Sequence, residues 1–259
     1  MFPRSPTKVL ALALAVLASA CGSDSSTGPS NQAATLDQAL SEFSIPAISA
    51  ANTAFFDAGA SAPALLLSRC AFAAGSQSFV CTPFSANGVT INQSFTLLSA
   101  SGAAQPAFVA GATDAVRANQ TMAGNISGGG TSLSVDATQE LTLSGLISGP
   151  HTLDGTSTTK LKGTIADIFG SKSLDATLAT TITNLVLPAR SAVSPGAQVW
   201  PASGTIVVQS TGTVGTASIG TTQITMTFSG TSTVNVSRTG PGGSQICKMD
   251  LSKLDQPCA

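Results

Sequence analysis

The sequence has no tyrosine, one tryptophan (Trp200), one histidine (His151) and few charged residues. Each scarcity closes off some chemistry. Outer-membrane barrels place aromatic girdles at both interfaces, and this chain cannot supply them. Single-strand nucleic-acid platforms stack bases on aromatic rings, and many carbohydrate-binding surfaces stack sugars on Trp or Tyr. One histidine excludes a histidine-based metal cluster by count, and a Ser-His-Asp triad or Cys-His pair could only be built on His151. Charged residues make up 9% of the chain, far below the roughly 25% of ordinary soluble domains. No basic patch exists to follow phosphates, so nucleic acid is not an expected partner.

Polarity comes instead from Ser, Thr, Asn and Gln. A hydroxyl-rich, β-branched composition suits strands with one wet face. The N-terminus is different. Arg4 and Lys8 precede an unbroken run of apolar or small residues, 9–20. That run is too short to span a hydrocarbon core of roughly 30 Å, which takes about 20 residues. It reads as a cleaved export signal. Its end, Leu17-Ala18-Ser19-Ala20-Cys21, resembles the lipobox of bacterial lipoproteins. That resemblance implies cleavage before Cys21 and acylation of the Cys21 thiol. It covers the first 21 residues and says nothing of the rest, for which no family is recognised.

Three segments are therefore expected: a signal peptide over 1–20, a lipid-anchored tether over 21–34, and one β-rich domain over 35–259. Residues 22–34 hold no large apolar side chain and abound in Ser, Gly, Asn and Pro, too little apolar surface to offset the entropy of ordering. Gly22, not an aspartate, follows the cysteine. Within the lipoprotein family this favours the outer membrane, with the domain on its periplasmic or surface side. The leader holds two basic residues and no acid, so the remainder has 9 basic and 12 acidic residues.

Four further cysteines, Cys70, Cys81, Cys247 and Cys258, lie in an oxidising compartment, and four allow three connectivities. Gly75-Ser76 suits a two-residue type II′ turn between strands at 66–74 and 77–84. In that register Cys70 faces Cys81, and directly opposed Cβ atoms lie about 4.5–5.5 Å apart. The expected bridges are Cys70–Cys81 and Cys247–Cys258. The rival, Cys70 with Cys258 and Cys81 with Cys247, would staple the hairpin to the C-terminus. Zinc is disfavoured because no CxxC occurs.

Residues 36–43 and 46–57 carry apolar stripes at helical spacing, the first behind a capping box at Thr35 and Gln38. After Pro63 the period becomes two. Asn87-Gly88 is a strong hairpin signal. Alternating segments follow at 89–98, 114–126, 131–145, 153–165, 174–187, 204–214, 222–230, 231–237 and 245–251. Short links between them favour antiparallel neighbours. So many strands in one sheet should curl. The expected fold is mainly β (α+β): a curved antiparallel meander or half-barrel with the two short helices on one face. A β-sandwich is the alternative.

Catalytic motifs are weak. Ser157-Thr158-Thr159-Lys160 matches the S-x-x-K string of penicillin-binding enzymes, but mid-strand Ser157 and Lys160 point to opposite faces. Asp136 and Glu140 share a strand face at about 13 Å between Cα atoms, which reads as solvated charge. His151 lies in the turn-like string Ser148-Gly149-Pro150-His151 and reads as a surface residue. No catalytic residue, cofactor or metal is expected. Two classes remain: a non-catalytic envelope lipoprotein with a structural or partner-binding role, and a carrier of a lipid or other apolar ligand inside a half-barrel. The expected partners are the membrane, through the N-terminal lipid, and an envelope protein or an apolar ligand.

Overall fold

The computed structural model describes residues 70–250, apart from 87, 129, 168–169 and 188–199. The helices expected at 36–43 and 46–57 lie outside the described residues, as do Cys21 and Cys258. Within them the chain forms strands and no helix. These are β1 (Cys70–Ala73), β2 (Ser78–Cys81), β3 (Phe84–Ala86), β4 (Val89–Ser99), β5 (Ala104–Gln105), β6 (Thr113–Gly128) and β7 (Thr131–Ser144). They continue as β8 (His151–Asp167), β9 (Gly170–Leu187), β10 (Ser203–Val214), β11 (Ala217–Phe228), β12 (Thr233–Gly240) and β13 (Gly243–Asp250).

All belong to one sheet, ordered β1-β2-β4-β6-β7-β8-β9-β10-β11-β12-β13, with β3 and β5 also paired to β4. Every pairing is antiparallel. The sheet is open and curved and does not close into a barrel. A single sheet replaces the two sheets of the sandwich alternative.

Alternation explains the core. Leu133, Val135, Ala137, Leu141 and Leu143 of β7 are buried, while Ser134, Asp136, Thr138 and Glu140 between them are exposed. The same period places Leu153 and Leu161 of β8, Leu174, Ala176 and Leu178 of β9, and Ile206 and Val208 of β10 on the inner face. One apolar cluster runs from Phe79 and Cys81 in β2 to Met249 in β13. Burying each large aliphatic contributes about 1.5–3 kcal/mol. A smaller cluster of Val89, Ile91, Met122 and Ala137 fills the corner between β4, β6 and β7.

Curvature has an identifiable source. Strands crowd on the concave side, and glycines stand there at inward positions. A Cβ added to Gly163 would lie 2.1 Å from the Ser132 carbonyl oxygen, and one added to Gly212 would lie 2.3 Å from that of Asp175. The small inward residues let neighbouring strands close up: Gly163 stands in register between Leu133 and Leu174.

Two local expectations need correction. The strand expected at 77–84 is two strands, β2 and β3, separated at Thr82-Pro83. Pro83 has no N–H to give a ladder. The first turn occupies 74–77 and is not a two-residue type II′ turn. Ser76 N–H donates to the Ala73 carbonyl at 3.2 Å, and the left-handed residue is Gln77 (φ 51°), not Gly75. Hairpin loops of four residues are commonly built on such a type I-like turn. The register is nevertheless Cys70↔Cys81. By contrast Ala86 pairs with Val89 across Asn87-Gly88, with Gly88 at φ +81°, as that sequence requires.

Cys70 and Cys81 form a disulfide with Cα atoms 3.8 Å apart. Beside it the rings of Phe72 and Phe79 pack at 5.3 Å between centroids. A loop of this length gives about 3 kcal/mol by the chain-entropy argument. The double variant Cys70→Ser/Cys81→Ser is expected to fray β1 first. Native-state hydrogen exchange should show protection lost over 71–80 and retained in β7–β9. Equal loss in both regions would mean that the bridge holds the whole sheet.

Candidate functional site

Cys247 on β13 is half-buried and disulfide-bonded. Its partner lies outside the described residues. With Cys70 joined to Cys81, the rival cross-stapled pairing is excluded, and Cys21 and Cys258 are the remaining cysteines.

His151 is not a free turn residue. It opens β8, is half-buried, and its Nδ1 lies 3.1 Å from the Gly145 carbonyl oxygen. Ser157 faces inward and Lys160 outward, so the S-x-x-K string brings no pair together. Asp136 and Glu140 are placed among cations on the outer face. Asp136 is in register with Lys160, and Glu140 Oε1 lies 3.9 Å from Arg117 Nε. Lys162 Nζ and Asp175 Oδ2 are 3.2 Å apart. Among the described residues no group of three or more His, Cys, Asp or Glu side chains is placed to hold a metal ion.

Two features were not anticipated from the sequence. The first is a polar row across the inner face. Gln93, Gln120, Gln139, Ser157 and Thr180 stand in register on β4, β6, β7, β8 and β9. Gln93 Nε2 donates to Gln120 Oε1 at 3.1 Å. The signal was legible in retrospect: each glutamine interrupts an apolar alternation, as in Ile91-x-Gln93-x-Phe95 and Ala137-x-Gln139-x-Leu141. A two-residue slip of one strand would push an amide between aliphatic side chains, so the row favours one register.

The second is the contrast between the two ends of the sheet. At one end, β3–β4, β6–β7, β8–β9, β10–β11 and β12–β13 are each joined by two residues. At the other lie the longer connections 100–112, 145–150 and 229–232. Binding surfaces tend to be built on such loops, positioned by a rigid scaffold.

At the loop end a knot of hydrogen bonds ties two connections together. Asp114 has no partner on β4, since Leu98 pairs with Ala115 and Ser99 with Thr113. This bulge turns Asp114 toward the β7–β8 connection, a common use of bulges. Its backbone carbonyl accepts from Leu146 N–H at 2.9 Å and its Oδ1 from Ile147 N–H at 3.3 Å. Next to it, buried Thr113 accepts from Val109 N–H at 2.9 Å and donates through Oγ1 to Gln105 Oε1 at 2.6 Å. The knot presents Phe108, Val109 and Ile147 to solvent, 37%, 49% and 40% exposed. Among the described residues two other large apolar side chains are exposed, Val80 and Ile246, and they lie in β2 and β13 near the sheet's two edges.

No family model, curated protein or solved structure matches the chain.

Proposed function

We propose that the protein is a non-catalytic lipoprotein of the cell envelope, held at the membrane through Cys21, whose sheet serves a structural or partner-binding role. The observation that carries this reading is the packed inner face. Ile206 is 0% exposed, Leu133, Leu153, Leu174 and Val208 are each 1% exposed, and all belong to one cluster. A carrier of an apolar ligand needs a pocket of roughly 300 Å³ or more, whose lining would keep solvent-sized contact. Close packing favours the non-carrier reading. The proposed cover for the sheet's open side is the pair of apolar stripes at 36–43 and 46–57, and the proposed second bridge is Cys247–Cys258.

Export and lipidation account for the composition at the N-terminus, and the outer membrane is the proposed site. Cys21→Ser tests the anchor. The parent is expected in the membrane fraction, labelled by radioactive palmitate and released by detergent. The variant should take no label and retain its leader. A variant labelled like the parent would overturn the anchor.

A further inference from the structure

We infer that the open edge of β13 pairs with the same edge of a second copy of this chain, antiparallel, about a two-fold axis at Ile246. The pairing goes beyond the proposed role and does not rest on the anchor at Cys21.

The first observation is an unguarded edge. In the strand order β1 stands at one end of the sheet and β13 at the other. β1 is only Cys70–Ala73 and is tied to β2 by the disulfide. Very short strands, prolines, bulges and charges are the devices that blunt a sheet edge. The first half of β13 has none of them. Its register with β12 is unbroken, it holds no proline, and its first charge is Lys248. Residues 243–246 are exposed on both faces. Ile246, at 83%, is the most exposed large apolar side chain among the described residues.

The second is the direction of the backbone groups. Gly240 and Gly243 flank the two-residue turn Pro241-Gly242. Such a flanking pair exchanges both its hydrogen bonds, and bonded pairs recur at every second residue. The backbones of Gly243, Gln245 and Cys247 are therefore committed to β12. Those of Ser244, Ile246 and Lys248 face the open edge, where they form a template for another strand.

The third is self-complementarity, which selects the occupant. With the axis at Ile246, the two Ile246 side chains meet on the outer face. Ser244 of each copy then stands opposite Lys248 of the other, and Gln245 opposite Cys247. All the outward-turned backbone groups of 244, 246 and 248 find partners, in about six hydrogen bonds. Outer residues meet outer and inner meet inner, so both faces of the sheet continue across the axis. An axis at Lys248 would oppose two ammonium groups, and one at Cys247 would set Ile246 against Lys248. Beside this edge the outer side chains of β12, Asn235, Ser237 and Thr239, carry no charge to repel an identical neighbour. Isologous pairing of this kind closes at two copies. One strand-to-strand contact falls short of the roughly 1,000 Å² of a standing interface, so the dimer is weak and concentration-dependent.

The test is sedimentation equilibrium on the full-length protein in detergent micelles over a concentration series. The parent is expected to dimerise. Ile246→Lys and Ile246→Glu, each alone, should weaken dimerisation by about tenfold, because like charges then stand directly opposite. An equimolar mixture of the two variants should restore it. Amide-resolved hydrogen exchange on the parent should show protection rising with concentration at 244, 246 and 248 but not at 245 and 247. A parent that stays monomeric with these three amides unprotected overturns the pairing. A dimer that neither variant weakens lies on another surface and overturns it too. Variants that fail singly and are not rescued by mixing overturn the axis at Ile246.

Discussion

Gly163→Val is expected to destabilise the sheet by about 3–5 kcal/mol, or to prevent folding outright. Gly163 stands on the inner face of β8, in register with Leu133 on one side and Leu174 on the other. A single Cβ there would meet the Ser132 carbonyl oxygen at 2.1 Å and the Leu133 Cα at 3.0 Å. Both are backbone atoms, and β7 is itself paired on its far side to β6, so neither can yield without breaking a ladder. The φ of +154° adds strain for any side chain. Overpacking costs about 1–3 kcal/mol and the dihedral a similar amount. Gly128→Val is the comparison: an added Cβ there meets nothing within 4 Å. Urea midpoints measure both. A loss at Gly163 no larger than at Gly128 would contradict the close approach of β7 and β8.

Ile206→Ala should cost about 2–5 kcal/mol. Ile206 is 0% exposed, with Ile182 and Met226 opposite it on the neighbouring strands. In a close-packed interior the loss has two parts, the transfer of the missing atoms and the cavity left behind. On the wall of an open ligand pocket the second part vanishes, because the space is already there. Val207→Ala, outward on the same strand, sets the scale for a surface change. Chemical denaturation therefore bears on function: a loss at Ile206 close to that at Val207 would revive the carrier reading.

Much of the sheet was legible because period-two alternation is local. The run at 131–145 became β7 with its faces as expected, and Pro241-Gly242 turns the chain between Gly240 and Gly243. The Cys70–Cys81 pairing was legible from register arithmetic, even though the turn conformation was not. What escaped depends on the partner strand. The bulge at Asp114 exists only relative to β4. Another sits in β9, where Asn184 (φ 47°) donates its N–H to Asp154 Oδ1 at 2.7 Å. His151 looked like turn because Gly149-Pro150 precedes it, and its bond to Gly145 closes only once β7 and β8 pair. The knot at the loop end was invisible for a similar reason: Asp114 and Ile147 lie far apart in the chain, and their hydrogen bond forms only once the bulge in β6 turns Asp114 toward the β7–β8 connection.

The disulfide also sets how the domain bears mechanical load. For a chain held at Cys21, tension arrives along the N-terminal segment and enters the described domain at Cys70. An edge strand as short as β1 would otherwise peel away from β2 one hydrogen bond at a time, the weakest way to pull on a sheet. The bridge passes the force directly from residue 70 to residue 81, and 71–80 is left out of the loaded path. The pull is then delivered through Thr82-Pro83 into β3 and on to β4, an eleven-residue strand paired along its length with β6. Shear across that long ladder, not the unzipping of a hairpin, becomes the event that limits how hard the domain can be pulled.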